Sequence, residues 1–247
     1  PIVPDRLLDT RDIPGDPAPA ESVTPVQVAG VGDVPDEAVA AVLNVTAVLP
    51  SDGGYATAYP CDASRPNASS LNYTAGSVVP GLVVVKLSAG DEPGRVCLFT
   101  KASSHLLVDV AGYFTADSEF EPVVPQRLID SRGPATVDGQ QQGGGPFLGG
   151  QTVAINVRNR AGVPPEATAA ALNVIATETT GAGFLTVYPC GTELPLASSV
   201  NYGPGETRSN AVIVQVGNDG NVCVYTKAGA HIVADVTGYF AKADDDE

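Results

Sequence analysis

Apolar residues in this chain come in short runs cut by turn residues. AAVLNVTAVLP (40–50), GYATAYPC (54–61), VVPGLVVVKLS (78–88), RVCLFTKA (95–102) and HLLVDVAGYF (105–114) are rich in β-branched or aromatic residues. Gly, Pro, Asp and Ser bound them, which is the signature of strands and turns. Asn218-Asp219-Gly220-Asn221 predicts a hairpin turn between VIVQV (212–216) and VCVYT (222–226). No segment shows a persuasive 3.6-residue period. GVPPEATAA (162–170) has room for one helical turn at most.

The pattern is written twice. PIVPDRLLDTR at Pro1 returns as PVVPQRLIDSR at Pro122, LNV at Leu43 returns at Leu172, and YPC at Tyr59 returns at Tyr188. HLLVDVAGYF at His105 returns as HIVADVTGYF at His231. Two domains on one plan follow, over residues 1–118 and 119–247. Seven or eight short strands in about 115 residues predict an all-β fold: an antiparallel β-sandwich with Greek-key or jelly-roll-like topology. A closed barrel is the alternative. The copies differ most after the opening strand, where the second has a longer loop containing QQQGGG (140–145). A length change of that kind marks a surface loop.

Four cysteines allow three pairings. The repeat selects one bridge per domain, Cys61–Cys97 and Cys190–Cys223. Each is expected to contribute about 3–4 kcal/mol through chain entropy. Persistent disulfides point to an oxidising place, hence a secreted or cell-surface protein. The spacings do not suit a zinc site, and no metal or cofactor is expected.

Net charge is −15. Residues 1–121 carry 16 acids against 6 bases, and residues 122–247 carry 12 against 7, so both halves are acidic. A polyanion repels phosphates, which argues against nucleic-acid partners. No apolar run reaches the length of a spanning helix, so membrane insertion is not expected. The chain begins on the first residue of the repeat and ends on AKADDDE (241–247). A processed chain, or a piece of a longer array, is the corresponding expectation.

Residues with chemical capacity recur in register. Arg6, Asp9 and Arg11 lie on the opening strand of copy one, with Asp109 on its closing strand; Arg127, Asp130, Arg132 and Asp235 repeat this in copy two. The guanidinium fork suits carboxylates, so each set predicts an ion network joining the ends of its domain. His105 and His231 each precede an aspartate by four residues. In a strand that puts them on one face, about 13 Å apart, too far for a hydrogen bond. No GxSxG elbow is present, and no catalytic residue is assigned. Lys101 and Lys227, with Asn44, Asn173, Asn72 and Asn201, offer the parts of an intramolecular isopeptide bond. Tyr59, Tyr73, Tyr188 and Tyr202 are the rings that would form a glycan platform; register-bound aromatics in strands are more often core.

The string LNVTAV…GYxTxYPC…SSLNY…HLxVDVxGYF resembles a module that recurs, often in tandem, in secreted and cell-surface proteins of actinobacteria. The likeness covers both copies, and DTR, YPC and DVxGYF carry it; copy two departs with DSR. It implies an exported, non-catalytic, disulfide-bearing β domain and no particular activity. The expected function is a structural or adhesive extracellular protein, a stalk, spacer or filament subunit. The alternative is a carbohydrate-binding accessory module. Expected partners are copies of itself, joined head to tail when PIVP adds to a neighbour's sheet edge, or cell-surface glycans.

Overall fold

A strand that carries Leu, Val and Ala at every second position has one face to bury. Strand β3 (Ala38–Val48) points Leu43, Val45 and Ala47 inward. Strand β8 (His105–Thr115) adds Leu106, Val108 and Val110. From an opposing sheet come Ala56 and Ala58 of β4 (Gly54–Pro60), and Val96 and Leu98 of β7 (Arg95–Thr100). These side chains form one core, and burial of their apolar surface holds the sheets together.

The structure is a computed structural model describing residues 1–12 and 16–241. Among them every regular element is a strand. The chain divides into two compact units, Pro1–Ser118 and Glu119–Glu247. Unit 1 is completed by β1 (Asp5–Asp9), β2 (Ser22–Gln27), β5 (Leu71–Tyr73) and β6 (Val78–Lys86). Its two sheets run β1-β8-β3-β6 and β2-β7-β4-β5. All pairings are antiparallel. This is the strand order of an eight-stranded jelly roll, and two open sheets replace the barrel alternative.

Unit 2 repeats the order. It contains β9 (Phe120–Asp130), β10 (Thr152–Asn156), β11 (Ala169–Thr177), β12 (Gly183–Pro189), β13 (Val200–Tyr202), β14 (Arg208–Gln215), β15 (Asn221–Thr226) and β16 (His231–Phe240). Its sheets run β9-β16-β11-β14 and β10-β15-β12-β13. The hairpin turn expected at 218–221 joins β14 to β15, and GVPPEATAA forms turns without a helix.

One backbone irregularity recurs. In β1, Arg6 pairs with Asp109 and Leu8 with Val108, so Leu7 is an extra residue; Leu128 is its counterpart in β9. A single inserted residue reverses the side-chain phase of a strand. Arg6 and Asp9, three apart, would otherwise face opposite sides of the sheet. The bulge turns them to the same side.

The opening PIVP segment, expected to add to a neighbour's sheet edge, makes contacts within its own unit. The Ile2 N–H donates to Ala111 O at 3.0 Å, and the Ile2 side chain packs on the core of unit 1. The matching stretch of β9 pairs with β16 through Pro122 and Glu121. An apolar segment with a cognate edge in its own sheet satisfies itself there first. In the long loop of unit 2, Gly143, Gly144 and Gly145 hold φ of 72°, 96° and 80°, a left-handed run that suits residues without Cβ. Gly143 and Gly145 donate to Asp130 O and Ser131 O, so this loop lines the end of β9. Most of the AKADDDE ending (242–247) lies outside the described residues.

Candidate functional site

The arginine–aspartate sets meet in both units. In unit 2, Arg127 donates Nη1 to Asp130 Oδ2 at 2.9 Å and Nε to Asp235 Oδ1 at 2.9 Å. Arg132 grips Asp130 through Nε at 2.9 Å, Nη2 at 2.7 Å and its backbone N–H at 3.1 Å. Unit 1 repeats each contact: Arg6 bridges Asp9 and Asp109, and Arg11 grips Asp9. The surroundings differ. The Arg127 side chain is 8% exposed and that of Arg6 is 43% exposed. Burial pushes Asp130 up, but the hydrogen bonds and charge of Arg132, together with the charge of Arg127, outweigh it and hold the carboxyl below its usual range. Asp9 is held lower still, chiefly by the Arg11 guanidinium. These groups tie the opening strand to the closing one and spend their hydrogen bonds on each other.

Each histidine bonds the middle residue of DTR or DSR. Thr10 Oγ1 lies 3.2 Å from His105 Nδ1, and Ser131 Oγ lies 2.9 Å from His231 Nδ1. Glu178 Oε2 lies 3.9 Å from the other ring nitrogen of His231. Ser, His and Glu in a row evoke a hydrolase, but Ser131 is 1% exposed. Its hydroxyl accepts the Ile232 N–H. A nucleophile needs an accessible oxygen; this one caps the start of β16. Among the described residues no cluster of His, Cys, Asp and Glu is arranged to hold a metal ion.

The tyrosine platform is corrected. Tyr59, Tyr73, Tyr188 and Tyr202 are all buried. The Tyr73 hydroxyl bonds Thr100 Oγ1 at 2.8 Å, and Tyr202 bonds Thr226 Oγ1 at 2.8 Å. Rings spent on the core offer no face to a sugar. In unit 1 the isopeptide set is not assembled, since the Lys101 ammonium pairs with Glu21 at the surface. That hydrogen bond raises Lys101 and lowers Glu21.

Both disulfides form as the repeat predicts, Cys61–Cys97 and Cys190–Cys223. Each ties the start of the loop between the fourth and fifth strands of its unit to the neighbouring strand. That loop then folds back along the outer side of the sheet. In unit 1, Thr57 Oγ1 donates to Ala68 O at 2.7 Å and Ser70 Oγ accepts the Ala58 N–H at 2.9 Å. In unit 2, Thr186 donates to Ala197 O and Ser199 Oγ accepts the Val187 N–H at 3.0 Å.

Between loop and sheet the units diverge. In unit 1 the Arg65 guanidinium lies 3.9 Å from the Phe99 ring centroid, a cation–π contact. Phe99 is left 3% exposed. In unit 2 the residue at the same offset from the loop cysteine is Leu194, and a cleft of about 520 Å³ opens. Its walls include Phe184, Tyr225, Leu194, Leu196, Asn201 and Lys227. The two rings stand 6.1 Å apart at 47°. Leu194 is 46% exposed and Leu196 is fully exposed. Two bare leucines over a ring pair form an apolar patch that a monomer normally hides or uses. Volume and lining match a small-ligand site.

Lys227 also differs from its counterpart. Glu21, which pairs Lys101, stands two residues before Val23, the partner of Phe99 across the sheet. The matching residue, two before Thr152 opposite Tyr225, is Gly150. Among the described residues Lys227 makes no ion pair. A second network, absent from the sequence reading, sits in the long loop of unit 2. Buried Arg160 donates Nε to Asp138 Oδ2 at 2.7 Å and Nη2 to Leu128 O at 2.9 Å.

Comparison with protein families, with characterised proteins and with solved structures gives no match to this chain. The all-β sandwich and its two disulfides are compatible with an extracellular protein, and no helix is long and apolar enough to cross a membrane.

Proposed function

We propose that the chain is a non-catalytic, secreted or cell-surface adhesive protein in which unit 1 serves as a spacer and unit 2 binds glycan. The carrying observation is the contrast at one position. The same disulfide-pinned loop lays Arg65 over an aromatic ring in unit 1 and leaves an open, ring-lined cleft in unit 2. A scaffold shared so closely, with one site shut and one open, supports a division of labour between the copies. Paired sulfurs suit an oxidising compartment, and an acidic surface suits solubility there. The filament version draws less support, because Ile2 of PIVP bonds within its own unit.

A glycan array probed with the labelled full chain tests this reading. Signal on wild type that disappears in Leu194→Arg, which copies the unit 1 lid, is the expected result. An array silent for wild type removes the glycan role and leaves only the structural one.

A further inference from the structure

We infer that the cleft of unit 2 takes a uronic-acid sugar, with its C–H face on Phe184 and Tyr225 and its carboxylate on Lys227. This deepens the glycan reading above and rests on it. Three features select the class. The rings and the exposed leucines give an apolar surface to one face of a pyranose. On the same wall Asn201 donates one amide hydrogen to Ser198 Oγ at 3.3 Å. An amide has a second N–H and a carbonyl oxygen, a donor and an acceptor side by side that match neighbouring ring hydroxyls. Finally, Lys227 has lost the acid that neutralises Lys101 in the other unit. A lone ammonium beside a stacking surface calls for one carboxylate. A densely charged polyanion is disfavoured, because the whole chain carries −15. The ligand is therefore a uronate set among neutral sugars or at a chain end.

The test is a titration of the full chain followed by amide chemical shifts, with three probes: methyl glucuronide, methyl glucoside and cyclohexanecarboxylate. Methyl glucuronide is expected to shift residues 184, 194, 196, 201, 225 and 227. Lys227→Gln is expected to weaken it about tenfold, the scale of a hydrogen bond to a charged group, while the neutral glucoside keeps its weaker affinity. Leu194→Arg is expected to abolish both. Both substitutions replace exposed side chains, and an unchanged spectrum elsewhere verifies the fold. Equal binding of the two sugars, with Lys227→Gln silent, overturns the uronate and leaves the glycan reading standing. Binding of cyclohexanecarboxylate without either sugar, or no shifts at all, overturns both.

Discussion

Arg127 and Asp235 form a two-point contact, Nε to Oδ1 at 2.9 Å and Nη2 to Oδ2 at 3.3 Å, with both side chains buried. Arg6 and Asp109 make the same contact in unit 1 with the arginine 43% exposed. One geometry in two dielectric settings isolates the effect of burial. Removing one partner of a buried pair leaves the other charge uncompensated and costs about 3–5 kcal/mol. An exposed pair contributes about 1 kcal/mol or less. Arg127→Met is therefore expected to lower the urea midpoint strongly and to deprotect the β16 amides in hydrogen exchange. Arg6→Met is expected to change little. Equal losses from the two substitutions would show that burial does not set the difference.

Acid sensitivity follows from the carboxylates that these arginines hold down. Asp9 and Asp130 have folded pKa values below the unfolded value of about 3.9. The unfolded chain then binds protons first as the pH drops. Their contribution is complete above the unfolded value and is lost as the pH falls through the folded one. Stability should stay level from neutral pH to about pH 5 and decline below about pH 4. In Arg132→Gln the folded pKa of Asp130 moves up toward the unfolded value, so stability at neutral pH should be lower and the loss between about pH 5 and low pH should shrink. Urea midpoints measured at several pH values read this directly. A loss of unchanged size in the variant would refute the assignment.

The disulfides act on the loop as much as on the unfolded chain. Cys190 and Cys223 are 33 residues apart, so replacing both by serine is expected to cost about 3–4 kcal/mol. It also frees the start of the loop that carries Leu194 and Leu196. Ligand-induced shifts at the cleft should weaken in the double serine variant under conditions where it is still folded. Unchanged shifts would mean that the Thr186 and Ser199 hydrogen bonds suffice to hold the wall.

Strand positions, the two bridges and the arginine–aspartate partners were legible because period-2 patterning and the duplication both report on the scaffold. The bulges at Leu7 and Leu128 were not, since the extra residue is apolar like Leu8 or Ile129 after it, and a pair of apolar residues does not say which one is inserted. Tyr59 and Tyr188 misled for a related reason. Alternation tells which residues share a face of a sheet, but not which faces a returning loop later covers. The cleft leaves no mark on the residues that the two copies share. Its signal lay in disagreement, where Arg65 gives way to Leu194 and Glu21 to Gly150.

That disagreement can be reversed. Unit 1 already holds Tyr55 and Phe99, with ring centroids 5.8 Å apart, and Lys101 in register with Lys227. Two obstacles remain, the Arg65 lid and the Glu21 partner of Lys101. Arg65→Leu alone should uncover the rings while leaving the ammonium neutralised. Glu21→Gly alone should free the ammonium beneath a covered ring. Glu21 sits at φ 56°, where glycine is the easier residue, so the second substitution carries no backbone penalty. The double variant Arg65→Leu/Glu21→Gly is expected to bind a second equivalent of methyl glucuronide, with new shifts at residues 55, 99 and 101. Each single variant should stay at one. A stoichiometry of one in the double variant, with its fold intact, would mean that the lid and the acid are not what closes unit 1.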